Sequence, residues 1–295
     1  MACRKQLSLF LMLFLISEVS LRGQASSAGP TPSEQLSKSQ VLISVSDRDG
    51  NPVNSLSKDQ IVAIADHKSV QVLELRQAKD EPLTFAVLVD VSGSTKGKAA
   101  LEREAVVDLF RALTTKNNHG YLSFFNDLAT PTSSYADLGQ VEQALGHAQW
   151  GKGGTALYDA IIQSCTRVLS WKVLPNDPRR VLFVITDGED NASRASLPEA
   201  IEQAQAAGVA IFTIRTNPTG RHGLVTIRDL TRETGGFALF VEKPGEFVQP
   251  LLTVLNEQYL LTLVEEKKGK LHSLELKSPN TAVKVLGPSR YYAPQ

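Results

Sequence analysis

The sequence predicts an α/β fold in which a doubly wound, mostly parallel sheet is inserted into a small β-sandwich formed by the N- and C-terminal flanks. Continuous apolar runs at residues 83–89, 181–185 and 209–214 are typical of strands buried on both faces. Segments with helical spacing of apolar residues alternate with these runs, which indicates a parallel sheet covered by helices. Each flank carries short β segments over about 40 residues, near the lower size limit for an independent core, so we expect the flanks to pair.

The N-terminus has the features of a secretory signal peptide over residues 1–25. Two basic residues precede an apolar run at residues 7–16, and small residues follow it. Because this run is shorter than the roughly 20 apolar residues that span a bilayer, an uncleaved membrane anchor is the weaker interpretation. Residues 26–38 are polar and rich in Pro and Ser, which predicts a disordered leader. We therefore expect an exported protein, periplasmic or extracellular, with no membrane insertion after signal cleavage.

Charge and cysteine content exclude several kinds of partner and of stabilisation. The 295 residues include 31 basic and 31 acidic ones, with a pI near 7.0, so no basic surface is predicted for nucleic acid or an anionic membrane. Cys3 lies in the predicted signal peptide, which leaves Cys165 without an intrachain disulfide partner. Cys165 falls on the apolar face of a predicted helix, which favours a buried structural thiol over a nucleophile.

The two flanks, residues 39–81 and 258–295, each contain three predicted strands. Short β-type runs are separated by turn residues, the first of them at 49–52. The predicted strands are residues 41–45, 60–64 and 70–75 in the first flank, and residues 258–264, 271–276 and 282–286 in the second.

The α/β domain is predicted over residues 82–257. Its predicted strands are residues 83–89, 121–125, 181–185, 209–214 and 237–240, with a polar edge strand near 129–134. Its predicted helices are residues 101–113, 138–148, 156–174, 197–207, 223–234 and 244–257. Gly208 follows the fourth of these helices, in the position where glycine commonly ends a helix.

Oxygen-bearing side chains follow two of the apolar strands and precede one of the helices. Asp90, Ser92 and Ser94 come directly after the first apolar run, and Asp187 follows the run at 181–185. Ligands of an open parallel sheet bind beyond the carboxyl ends of its strands, so we expect the two carboxylates to converge there. A pair of glycines allows the tight turn that brings Thr155 to the same edge.

Two carboxylates and three hydroxyls form a set of hard oxygen ligands. Such a set suits Mg²⁺, with some coordination positions left to water or to a partner, and Mn²⁺ and Ca²⁺ are the alternatives. Each motif alone is typical of a turn or a helix cap. Their joint occurrence at strand and helix ends predicts one metal site. Glu189 and Asp190, which follow Asp187, are expected to shape the loop rather than to bind the ion.

The three motifs together resemble the von Willebrand factor type A domain and its metal-ion-dependent adhesion site. Residues 39–295 are similar to the VWFA-related family of exported bacterial proteins common in Acidobacteria, with residues 153–160 and 186–191 similar to its second and third metal loops. The resemblance implies a Mg²⁺-dependent protein-binding or adhesion module rather than an enzyme. It implies an open coordination position for an Asp or Glu of a partner protein. The positions that match the metal ligands are Asp90, Ser92, Ser94, Thr155 and Asp187.

Two enzymatic alternatives fit the motifs less well. Ser92 occupies the position where aspartyl phosphatases have a second aspartate for acid–base chemistry. Residues 93–99 resemble a nucleotide-binding P-loop, but the spacing is one residue short and Ala99 replaces the Ser or Thr. The main alternative to adhesion is a structural envelope scaffold whose metal only stabilises the fold, followed by a metal-dependent hydrolase.

Overall fold

The computed structural model describes residues 37–114, 118–130, 133–134, 137–167, 169–170, 179–215, 223–243, 245–265 and 269–293. The predicted signal peptide, and the predicted leader up to residue 36, lie outside these residues. The first strand begins at Ser37. No helix in the described part of the chain is long and apolar enough to cross a membrane.

The described residues form fourteen strands and six α-helices. In chain order the strands are β1 (Ser37–Ser46), β2 (Val62–Ala65), β3 (Lys68–Val70), β4 (Val72–Gln77), β5 (Thr84–Asp90), β6 (His119–Phe125), β7 (Ser133–Ser134), β8 (Arg180–Ile185), β9 (Val209–Arg215), β10 (Ala238–Phe240), β11 (Tyr259–Glu265), β12 (Lys270–Lys277), β13 (Lys284–Leu286) and β14 (Arg290–Ala293). The helices are α1 (Ala99–Leu113), α2 (Leu138–His147), α3 (Leu157–Arg167), α4 (Leu197–Ala207), α5 (Leu224–Thr234) and α6 (Val248–Asn256).

The central sheet has six strands in the order β10-β9-β8-β5-β6-β7. All neighbours run parallel except β7, which pairs antiparallel with β6 at the edge. Every residue of β5, β8 and β9 is buried, as the apolar runs predicted. The strand order reverses between β5 and β8, which are neighbours in the sheet although β6 and β7 lie between them in the chain. This reversal creates a crevice at the carboxyl ends of β5 and β8, where sheets of this kind bind ligands.

Helices cover both faces of the central sheet, which confirms the predicted doubly wound architecture. Helices α1, α2 and α6 contribute apolar side chains to the core on one face, and α3, α4 and α5 contribute to the core on the other. Alternate residues of β5 supply both cores: Phe85 and Val87 face the first, whereas Ala86 and Leu88 face the second. The first core is rich in aromatic contacts, with the rings of Phe85 and Phe183 6.0 Å apart.

Cys165 is a buried structural thiol, as the sequence predicted. It lies on α3 within the second core and is 0% exposed. Burial raises the pKa of its thiol to about 12, so the reactive thiolate is scarce at neutral pH.

The flanks pair into a β-sandwich, as predicted from their size. One sheet has the order β13-β1-β11-β4 and the other β14-β12-β2-β3, so each combines strands that precede and follow the central sheet. The longest ladder of the sandwich joins β1 and β11 antiparallel, from Ser37 opposite Glu265 to Ile43 opposite Tyr259. Apolar side chains of both sheets, including Ile43 of the first and Leu274 of the second, form a separate core. The α/β region is inserted between the two halves of one sandwich, so the sandwich holds both ends of the α/β region in place.

Several predicted boundaries differ from the observed ones. The strand expected at 60–64 begins at Val62, because the capping box of Ser57 and Gln60 forms a 3₁₀ turn first. The helix expected at 156–174 is described as far as Arg167, and residues 168 and 171–174 of that prediction lie outside the described residues. The helix expected at 244–257 begins at Val248, after a turn. Strand β14 was not predicted, since its four residues carry no regular alternation and are defined by pairing with β12.

A polar network holds the β2–β3 turn against strand β12. Asp66 and His67 have φ of +47° and +64°, as a tight hairpin requires. The Oδ2 of Asp66 accepts a hydrogen bond from Lys270 Nζ at 2.9 Å and lies 3.1 Å from His272 Nδ1. The Oδ1 of Asp66 accepts a hydrogen bond from the Ser273 amide at 3.1 Å. The hydrogen bond from Lys270, followed by the one from the Ser273 amide, holds the pKa of Asp66 far below its usual range.

We expect Asp66→Asn to weaken the sandwich at neutral pH, because an amide cannot form the ion pair with Lys270. The lowered pKa of Asp66 means that its contribution is complete above the ordinary value of 3.8 and is lost as the pH falls further. Urea denaturation should therefore show a deficit near pH 7 that shrinks near pH 3. Asp49→Asn is the control, since Asp49 is exposed and its carboxylate contacts no hydrogen-bond donor among the described residues. Equal effects of the two substitutions would contradict the role of Asp66.

Candidate metal centre

The two predicted carboxylates lie at the ends of adjacent strands. Asp90 is the last residue of β5, and Asp187 lies two residues beyond the end of β8, with Val89 and Ile185 paired in the ladder between them. The hydroxyl of Thr186 donates a hydrogen bond of 2.9 Å to Asp90 Oδ2, which connects the two strand ends directly. The structure therefore places both carboxylates at the crevice where the strand order reverses.

The loop after β5 brings two hydroxyls together beside Asp90. The Ser92 amide donates to Asp90 Oδ1 at 3.0 Å, and the hydroxyl oxygens of Ser92 and Ser94 are 3.3 Å apart. Residues Gly93–Thr95 form a 3₁₀ turn, which is closed by a hydrogen bond from Thr95 Oγ1 to the Ser92 carbonyl at 2.8 Å. This tight turn is the reason that Ser92 and Ser94 share one side of the loop.

Backbone hydrogen bonds join the loop of Thr155 to both of the other loops. The Gly93 amide donates to the Gly153 carbonyl at 3.1 Å, which connects it to the first loop. The Asn191 side-chain oxygen accepts from the Thr155 amide at 2.8 Å, and the Asn191 amide donates to the Thr155 carbonyl at 3.0 Å, which connects it to the third. All five predicted ligands thus lie on three loops that are hydrogen-bonded to one another.

The candidate ligands extend from the interior to the surface. Asp90 and Ser92 are buried, at 0% and 1% exposure, and Thr155 is buried at 3%. Asp187 is partly buried, and Ser94 is exposed. Burial raises the pKa of Asp90 to about 6, and the charge of Asp187 acts in the same direction, whereas the hydrogen bonds from Ser92 and Thr186 oppose it.

The chemistry of this donor set fits a hard divalent cation. A buried carboxylate that resists ionisation gains from a nearby positive charge. The donors are carboxylate and hydroxyl oxygens, which Mg²⁺ and Ca²⁺ prefer over softer metals. Among the described residues, no cluster of three or more His, Cys, Asp or Glu is arranged to hold a metal. The five candidate donors are all oxygens, whereas zinc and copper favour nitrogen and sulfur ligands.

Four side chains outside the predicted ligand set contact this centre. Thr186 and Asn191 make the hydrogen bonds described above, and Asp127, just beyond β6, accepts a hydrogen bond from the Gly154 amide at 2.6 Å through Oδ1. Lys98 places Nζ 3.5 Å from Asp187 Oδ2. Asp127 was recognisable as a third carboxylate that follows a strand of the same parallel sheet, whereas Lys98 carried no signal of its own.

Asp190 holds the third loop against helix α3. Its Oδ2 accepts hydrogen bonds from the Tyr158 amide at 3.1 Å and from the Ser193 hydroxyl at 2.5 Å. These contacts agree with the prediction that Asp190 shapes the loop. The Glu189 amide donates to Asp187 Oδ1 at 3.3 Å, so the backbone at Glu189 helps to orient the candidate ligand.

Gly153 is required by the close approach of Asp127. Its φ is +78°, and a Cβ at this position would lie 2.2 Å from Asp127 Oδ2. Any larger residue would therefore push Asp127 away from the loop that presents Thr155.

Comparisons with known proteins find one matching family and several solved structures with some similarity. No curated protein matches the chain. One similar solved structure is a serine-substituted aerotolerance-related membrane protein from Bacteroides fragilis, with 16% identity, a TM-score of 0.48, and coverage of 59% of this chain and 99% of that one. Another is a von Willebrand factor type A protein from Catenulispora acidiphila, with 13% identity, a TM-score of 0.49, and coverage of 88% and 75%. The family model of the von Willebrand factor type A domain matches residues 85–251, more than half of the chain.

Proposed function

Because this chain belongs to the von Willebrand factor type A domain family, we propose that it is a metal-dependent protein-binding or adhesion module. Its site would engage a carboxylate, from an Asp or Glu, on a partner protein. The observation that carries this proposal is that the candidate ligands extend from the protein interior, at buried Asp90, to the surface, at exposed Ser94. An ion held by such a set has protein on one side and an accessible side from which a partner approaches.

The residues that would hold the ion have distinct tasks. Asp90 and Asp187 offset most of the double positive charge, while the hydroxyls of Ser92, Ser94 and Thr155 supply neutral donors. When bound, Mg²⁺ supplies a positive centre with an open position for a carboxylate oxygen. The hydrogen bond from the Thr186 hydroxyl to Asp90 and the turn at Gly93–Thr95 orient the donors before an ion binds. This reduces the entropy cost of ordering them on binding.

We propose binding rather than catalysis for this site. Ser92 stands where a phosphatase needs a second carboxylate, and its hydroxyl cannot supply that acid–base group. Lys98, a basic residue beside the donors, pairs with Asp187. A metal-dependent hydrolase is accordingly the least supported alternative.

We further propose that the protein is exported, to the periplasm or to the extracellular space. The support is the basic start of the chain, the apolar run at residues 7–16 and the small residues up to position 25. The buried Cys165 is consistent with this route, because its thiol is protected from oxidation and from intermolecular disulfides.

A structural scaffold is the second candidate, and the burial of three candidate ligands favours it. Asp90, Ser92 and Thr155 are 0%, 1% and 3% exposed, so an ion bound to them would also tie together two loops of the fold, and Asp187 would add the third. In that case the metal would stabilise the protein and no partner would depend on it.

We expect Mg²⁺ or Mn²⁺ to raise the melting temperature of the purified protein. At one hundred times Kd a single bound ion adds about 2.7 kcal/mol of stability. For a chain of this size that corresponds to a shift of roughly 5–10 °C. Differential scanning fluorimetry with Mg²⁺, Mn²⁺ or Ca²⁺ against a chelator provides the measurement. Absence of a shift with all three ions would contradict the metal site.

Partner capture separates adhesion from scaffolding. The immobilised protein should retain a partner from an envelope extract in Mg²⁺ and release it in chelator, while circular dichroism shows that the fold persists. Mass spectrometry of the eluate identifies the partner, and blocking its acidic side chains should abolish recapture. Metal-induced stabilisation without metal-dependent capture would support the scaffold, and capture that survives chelation would contradict the proposal.

A further inference from the structure

Lys98 is held in position at the rim of the candidate metal centre. Its backbone amide donates to the Thr95 carbonyl at 2.8 Å, and its carbonyl accepts from the Glu102 amide at 3.0 Å at the start of α1. Its Nζ lies 3.5 Å from Asp187 Oδ2, and its side chain is only 19% exposed. The lysine is therefore attached to the rigid start of a helix and directed at a candidate metal ligand.

The ammonium supplies a positive charge where the fold concentrates negative charge. Asp90 is buried, and the Asp187 side chain is 11% exposed, so both carboxylates have lost most of their hydration. Charges removed from water are stabilised by an opposite charge nearby. An ion pair with Lys98 provides this compensation for Asp187 without a metal.

We propose that Lys98 is an internal counter-ion of the site. It pairs with Asp187 in the metal-free protein and competes with the metal for that carboxylate. This inference rests on the proposed metal-dependent function. Metal binding then exchanges one cation for another, because the ammonium must leave Asp187 when a doubly charged ion approaches. Lys98 thereby lowers the metal affinity and stabilises the metal-free fold.

The test compares two lysines of the same loop. In Lys98→Met the side chain keeps most of its length and loses its charge. The control is Lys96→Met, because Lys96 is exposed and forms no ion pair with any described residue. Lys98→Arg retains the charge and should stay close to the wild-type protein.

Metal affinity is measured by isothermal titration of the purified full chain with MgCl₂ and MnCl₂. Lys98→Met should bind the metal about tenfold more tightly than wild type. Removing a unit positive charge that lies 3.5 Å from a candidate ligand should strengthen binding of a cation by at least about tenfold. Lys96→Met and Lys98→Arg should bind within about twofold of wild type, a difference too small to indicate a lost contact. In chelator, Lys98→Met should melt at a lower temperature than wild type. An unchanged or weaker metal affinity of Lys98→Met would overturn the proposal.

The outcomes distinguish this inference from the proposed function. Tighter metal binding by Lys98→Met without metal-dependent partner capture supports the counter-ion and contradicts adhesion. Metal-dependent capture by wild type, together with equal metal affinities of wild type and Lys98→Met, supports adhesion and overturns the counter-ion. Failure of wild type and every variant to bind either metal contradicts both.

Discussion

Asp90→Asn should abolish the metal response of the protein without unfolding it. Asparagine has nearly the same shape as aspartate and keeps one oxygen to accept the hydrogen bond from Ser92 or Thr186. It removes one of the two negative charges that the candidate site offers to a cation. Loss of a buried charge so close to a divalent ion should weaken Mg²⁺ binding by at least about 2.7 kcal/mol, or one hundredfold.

In the metal-free protein the same substitution should leave the melting temperature unchanged or raise it. Burial raises the pKa of Asp90 to about 6, which shows that the fold disfavours the ionised form. A neutral side chain avoids this desolvation, so in chelator Asp90→Asn should melt at the wild-type temperature or above it. A simple structural defect predicts a lower melting temperature under both conditions.

Thermal melts in chelator and in saturating Mg²⁺ measure both effects in one experiment. Asp59→Asn is the control, because Asp59 is exposed and forms no ion pair with any described residue. It should retain the full metal-induced shift. A wild-type shift in Asp90→Asn would show that Asp90 is not needed for metal binding, and the proposed site would then be wrong.

The parts of the fold that depend on burial could be predicted from the sequence. A strand covered on both faces must be apolar throughout, so residues 83–89, 181–185 and 209–214 identified β5, β8 and β9. Once these strands were recognised as parallel, their polar ends had to lie at one edge of the sheet. The location of Asp90 and Asp187 followed from that rule, and their role as metal ligands stays a prediction.

The contacts that complete the site could not be predicted, because they join loops far apart in the chain. Lys98 meets Asp187 across 89 residues, and Asp127 meets Gly154 across 27. No periodicity connects such positions, and each residue type is common in ordinary surface loops. The short strand β14 was missed for the same reason, since its strand character depends on the neighbouring β12.

Gly223 is another feature of the site that only the structure reveals. It precedes α5, where its φ is +71°, and an added Cβ would lie 2.3 Å from the Asp187 carbonyl oxygen and 2.5 Å from the Gly188 carbonyl carbon. Backbone atoms cannot turn aside as a flexible side chain does. The start of α5 therefore packs directly on the loop that carries Asp187, and only glycine permits this approach.

Gly223→Ala should consequently destabilise the protein and disturb its metal site together. The positive φ costs an alanine roughly 1 kcal/mol, and forcing the backbone of the Asp187 loop away adds about 1–3 kcal/mol. Gly50→Ala isolates the first effect, because Gly50 has φ of +87° and no atom within 4 Å of an added Cβ. Urea denaturation should show a loss of about 1 kcal/mol for Gly50→Ala and about 2–4 kcal/mol for Gly223→Ala. Metal titration should show weaker binding for Gly223→Ala alone, since only this substitution displaces Asp187. Equal losses of stability and unchanged metal affinity in both variants would contradict the close packing of α5 on the third loop.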